Sequence, residues 1–126
     1  MPAATLRAVA DALVRYCREN KEATALSELY APDAVSVEAA PMPGQTSREI
    51  RGLEGIRGKH AWWNEAMLVH GAVVDGPYFH GEDRFAVIFE IDATNKTTQQ
   101  RMAMKEVALY TVQNGKIVRE EFYYAP

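Results

Sequence analysis

Apolar side chains recur every three or four positions up to about residue 67 and every second position after it, a helical regime followed by an extended one. Leu6, Val9, Ala10, Leu13, Val14 and Cys17 form one stripe, with Arg7, Asp11, Arg15 and Arg18 between them, which predicts an amphipathic helix over residues 3–20. A shorter helix follows the Asn20-Lys21 break and carries Ala23, Leu26, Leu29 and Tyr30, until Pro32 forces the chain out of helical geometry. Residues 34–39 read as a first short strand, and Pro41, Pro43 and Gly44 mark a loop over 40–51. Helical spacing resumes over 52–67 through Leu53, Ile56, His60, Trp63 and Met67.

Four alternating runs complete the chain: 69–80, 84–94, 102–112 and 116–124. They are separated by Gly81-Glu82-Asp83, by a polar stretch over 95–100 and by Asn114-Gly115. Helices first and a meander afterwards predict an α+β fold: three N-terminal helices packed on a curved, mostly antiparallel sheet, closing a cone around one internal pocket. The length of 126 residues, 48% hydrophobic and 25% charged, suits one core and a single domain over 1–126.

The last hairpin decides which side chains share a face, because a slip of one residue inverts a strand. A type I turn with Gly115 left-handed pairs Val112 with Lys116, and Met102, Met104, Glu106, Ala108 and Tyr110 then face the same way as Val118, Glu120, Phe122 and Tyr124. A two-residue type I′ turn would put Lys105, Val107 and Leu109 there instead. The first is favoured because it gathers two Met residues, Phe122 and Tyr124 on one surface, with Glu120 across from Ala108. The opposite face then holds Ala103, Val107, Leu109, Ile117 and Tyr123 among Lys105, Arg119 and Glu121, a half-apolar surface suited to a homodimer.

Charge narrows the partners. Fourteen Lys and Arg are scattered among 17 acidic residues for a net charge of −3, so no basic face is available to nucleic acid or to an anionic membrane. No apolar run approaches the ~20 residues of a membrane span, and the N-terminus lacks the pattern of a secretory leader, which predicts a cytoplasmic protein. A single Cys17 and three dispersed His residues predict neither disulfide nor metal. Gly52, Gly55 and Gly58 fall inside a helix rather than after a strand, and Ser27, Ser36 and Ser47 lack a nucleophile-elbow context, so no nucleotide cofactor or covalent catalysis is expected.

Three segments carry a resemblance: Leu29-Tyr30-Ala31-Pro32-Asp33-Ala34-Val35, Arg51-Gly52-Leu53-Glu54-Gly55-Ile56, and Asn114-Gly115-Lys116-Ile117-Val118 with the aromatic end Phe122-Tyr123-Tyr124. Over nearly its whole length the chain resembles the nuclear transport factor 2-like superfamily, and within it the SnoaL-like, ketosteroid-isomerase-like proteins. The resemblance implies a cone-shaped, cystatin-like fold and admits isomerases, cyclases and dehydratases, so it does not fix an activity. It also implies Glu38 at the place of the isomerases' general-base aspartate, Tyr16 and Tyr30 at tyrosine positions, and His60 near a further tyrosine. The isomerases' hydrogen-bond-donating aspartate aligns near Ala108, whose methyl cannot donate.

Candidate catalytic residues are therefore Glu38, His60, Glu106 and Tyr16. Glu38 is a strand-end carboxylate that could abstract a proton, or simply pair with Arg51. Glu106 and Glu120 lie on the favoured inward face, where two acids could share one proton. Tyr30, Trp63, Val87, Phe89, Met102, Met104, Glu120, Phe122 and Tyr124 would line an apolar substrate site. The expected function is a small-molecule pocket protein, a cofactor-independent isomerase, cyclase or dehydratase with a carboxylate base. The competing expectations are a binding module without chemistry and a structural dimer with a filled core.

Overall fold

The computed structural model describes residues 2–124, with side chains from Thr5 onward. Helix α1 (Pro2–Arg18) ends with Arg15 and Arg18 in its last turn, where cations favour the helix dipole. Asn20, at φ 58°, reverses the chain into α2 (Glu22–Leu29). Strand β1 (Tyr30–Val37) follows at once, earlier than the start expected at residue 34. The predicted loop contains a short strand, β2 (Glu49–Arg51), which pairs antiparallel with β1; three residues are too few for alternation to reveal it. Helix α3 (Gly52–Ala66) then leads into the meander β3 (Met67–His80), β4 (Arg84–Asn95), β5 (Arg101–Gln113) and β6 (Lys116–Tyr123).

The six strands form one sheet in the order β2-β1-β6-β5-β4-β3, antiparallel except for the β1–β6 pair. Helices and sheet share one core. Leu6, Val9, Leu13 and Val14 of α1, Leu26 of α2 and Ile56 of α3 close over Phe85, Val87, Ala108, Tyr110 and Ile117. The Phe85 and Tyr110 rings stack at 4.9 Å between centroids. The sequence expectation of three helices on a mostly antiparallel sheet holds.

The last hairpin combines the two alternatives. Asn114 and Gly115 both have positive φ, 53° and 77°, and Gln113 pairs with Lys116, so the turn is the two-residue type. The register then shifts between Thr111 and Val112: Val112 faces Ile117, Thr111 faces Arg119, and Val118 is the extra residue. That bulge restores the inward face expected for the other turn. Glu120 lies opposite Tyr110 rather than Ala108, and Ala108 lies opposite Phe122. Ile117, expected on the outer face, is fully buried in the core.

Gly115 also sits where a Cβ would lie 3.2 Å from the Thr5 methyl. Gly115→Ala is expected to cost about 1–2 kcal/mol through the left-handed backbone and this contact, read as a lower urea midpoint at unchanged slope.

Candidate functional site

The parallel β1–β6 ladder sets Ser36 beside Glu120, both fully enclosed. Tyr30, at the start of β1, donates its hydroxyl to Glu120 Oε1, and Ser36 Oγ donates to Oε2 at 2.6 Å. The charge is met from above by α3. Lys59, one turn beyond the buried Ile56, points its ammonium down onto Glu120 Oε2 at 3.2 Å, Ser36 Oγ at 2.7 Å and Glu38 Oε1 at 2.8 Å. The other oxygen of Glu38 accepts from the Tyr124 hydroxyl at 3.0 Å. Phe122, next inward residue after Glu120, places its ring 4.2 Å below the Lys59 ammonium.

Burial alone would raise the Glu120 carboxyl, but Lys59, with the Ser36 and Tyr30 hydroxyls, holds it below its ordinary value. Burial pulls Lys59 down and the two carboxylates more than compensate, so it stays above its ordinary value and charged. Glu106 is placed differently. It lies between Met104 and Ala108 on β5, facing Phe89, and makes no hydrogen bond or ion pair among the described residues. Burial, reinforced by the charge of Glu38, pushes it up to about 7. Glu106 therefore changes protonation at neutral pH while Glu120 stays ionised.

The sequence-predicted residues divide on this geometry. Glu38, Glu106, Glu120, Tyr30, Phe122 and Tyr124 come together around Lys59. Phe89, Met104 and Met102 continue the same inner face toward its open end, half-buried at Phe89 and Met104 and 42% exposed at Met102. Trp63 and His60 are half-buried on α3; burial lowers the His60 imidazole, which makes no hydrogen bond among the described residues. Tyr16 lies elsewhere, its hydroxyl donating to Glu28 and tying α1 to α2. Val87 is wholly inside the core. Glu38 pairs with Lys59 rather than Arg51, which turns to Glu49. Two surface clefts flank Arg18 at the α1–β3 seam, and neither touches the carboxylates.

Lys59 and Ser36 were not foreseen. The signal for Lys59 was present: it sits three residues after Ile56 and four before Trp63, on the stripe that the helix buries, and three inward acids require a cation. Among the described residues no cluster of metal-ligating side chains occurs.

The SnoaL-like domain model matches residues 4–124, and the chain belongs to that family. A structure from Mesorhizobium loti, described as a candidate SnoaL-like polyketide cyclase, shares 41% identity over 94% of this chain and 97% of that one, with a TM-score of 0.86. A candidate isomerase from Bacillus subtilis shares the fold at 19% identity and TM-score 0.72, covering 99% of this chain and 87% of that one. A Xanthomonas campestris protein with a cystatin-like fold does so at 18% and 0.76, covering 96% and 91%. No curated protein matches the chain.

Lys59→Met would leave Glu120 enclosed without a counter-charge, at an expected cost of about 3–5 kcal/mol near pH 7. An unpaired buried carboxylate has a native value above its unfolded one, so the variant recovers stability as pH falls through that raised value toward the ordinary 4.5, and the loss relative to the parent should shrink over that range. Urea titrations of both proteins near pH 7 and pH 4 check the magnitude and the sign.

Proposed function

We propose that this protein is a cofactor-independent isomerase, cyclase or dehydratase acting on a small apolar, oxygenated molecule. One observation carries the reading: two carboxyl groups share the inner face in opposite states. Glu38 accepts from the Lys59 ammonium and the Tyr124 hydroxyl, while Glu106, desolvated and without a hydrogen bond or ion pair among the described residues, is pushed up to about 7. Unlike neighbours of this kind supply a general base and a general acid on one surface. Glu38 takes a proton, Glu106 gives one, and the half-buried Phe89, Met104, Trp63 and Phe122 provide an apolar bed for the substrate.

Proton transfer at carbon can be followed as deuterium incorporation, by NMR in D2O, with cyclic allylic alcohols and β,γ-unsaturated cyclic ketones as probes. Glu38→Gln and Glu106→Gln should each slow the reaction about 10²–10⁴-fold. The parent rate should fall as pH rises through about 7, because the acid form of Glu106 is the active one. Incorporation no faster than in buffer would instead favour a binding module, a reading supported by Ala108, which puts a methyl where the related isomerases have an acid.

The outer sheet face supports pairing with a second copy. Leu68, Val73, Val107 and Tyr123 are each more than a third exposed there, interspersed with the Lys105–Glu90 and Arg119–Glu121 pairs. The parent should run as a dimer in light scattering, and the double substitution Val73→Glu and Val107→Glu as a monomer; an unchanged mass would remove this assignment.

A further inference from the structure

Which sign of charge the site can stabilise follows from where its protons already go. The Lys59 ammonium has three, and three acceptors stand at hydrogen-bond distance: Glu38, Ser36 and Glu120. The hydroxyls of Ser36 and Tyr30 are spent on Glu120, and that of Tyr124 on Glu38. The hydroxyls and the ammonium of the cluster are therefore spent, and the donors left are the proton of Glu106 and the half-buried His60 imidazole, which makes no hydrogen bond among the described residues. The charges point the same way: three carboxyl groups face one ammonium. The Phe122 face already attracts a cation, and Phe89, opposite Glu106, and Trp63, one turn beyond Lys59, are further half-buried rings on the elements that carry the site.

We infer that this site stabilises positive rather than negative charge, and that its substrate is an allylic or tertiary alcohol whose C–O bond breaks under general-acid catalysis. The inference rests on the acid–base reading above and specifies its order. Glu106 protonates the hydroxyl oxygen, and the C–O electron pair leaves with water. The resulting carbocation lies between the rings and the Glu38 carboxylate. Glu38 then removes a proton from the adjacent carbon, whose C–H pair becomes the new double bond. Alcohol gives alkene and water, with no oxidant or reductant, and solvent returns the two carboxyls to their starting states. An enolate path, base first, would place its oxyanion among three carboxyl groups with only the Glu106 proton and the His60 imidazole to meet it.

The charge preference is measurable by binding, independently of turnover. Cyclohexylammonium, cyclohexanol and cyclohexanecarboxylate have one ring and three charges, and are titrated calorimetrically into the full-length protein at pH 6 and pH 8. The ammonium should bind at least about tenfold more tightly than the alcohol, and the carboxylate most weakly. Its advantage should grow at pH 8, where Glu106 is ionised, and Glu106→Gln should abolish that growth; growth retained in the variant overturns the inference. Equal affinities, tighter binding of the carboxylate, or no binding by any of the three overturns the inference. Preference for the ammonium without loss of water from a cyclic allylic alcohol to give the diene, followed by NMR, would keep the charge assignment and remove the enzymatic one.

Discussion

The Lys59 ammonium stands between Glu38 and Glu120, and the inner face of the sheet could not close around those acids without it. An ionised carboxylate as enclosed as Glu120 is costly unless its charge is met and its lone pairs are filled. Two hydroxyls from β1 and one ammonium from α3 meet both conditions. The contact therefore joins the helical layer to the seam where the parallel pair lies, and it sets the position of α3 over the sheet as firmly as Ile56 does from the apolar side.

That neutralised floor also gives the site its asymmetry. Lys59 exerts its pull chiefly on the two carboxylates it touches, leaving Glu106 at a distance with Met104 and Phe89 for company. Desolvation and the neighbouring Glu38 charge then outweigh the attraction of the ammonium, and Glu106 keeps its proton to near neutrality. Two glutamates on one surface thus sit in opposite circumstances: Glu120 enclosed by partners, Glu106 without a hydrogen bond or ion pair among the described residues. The difference arises from burial and partners, not from residue type.

Much of the fold was legible because the hydrophobic period is long-lived: the four strands of the meander were located to within two residues at every end. What escaped was set by tertiary pairing. Strand β2 exists only because β1 offers it an edge. The convergence of Glu38, Glu106 and Glu120 could be argued from alternation, yet Tyr16 and Val87 could not be separated from the site, since a helix stripe and a strand face do not say how far along the cone a side chain lies. Lys59 was passed over because a lysine on an apolar stripe is ordinarily read as an exposed charge, and only the count of acids across from it argues otherwise.

The extra residue at Val118 has a consequence for how members of this family could diverge. The bulge lets β6 carry one residue more than β5 between the turn and Glu120 without inverting the strand: with Val118 deleted, Val112 opposite Ile117, Thr111 opposite Arg119 and Tyr110 opposite Glu120 would form one regular ladder, and Glu120, Phe122 and Tyr124 would still face inward. A relative lacking that residue would therefore keep the same inward side chains on an unchanged scaffold, and the bulge is a point where strand length can vary without changing the chemistry of the interior.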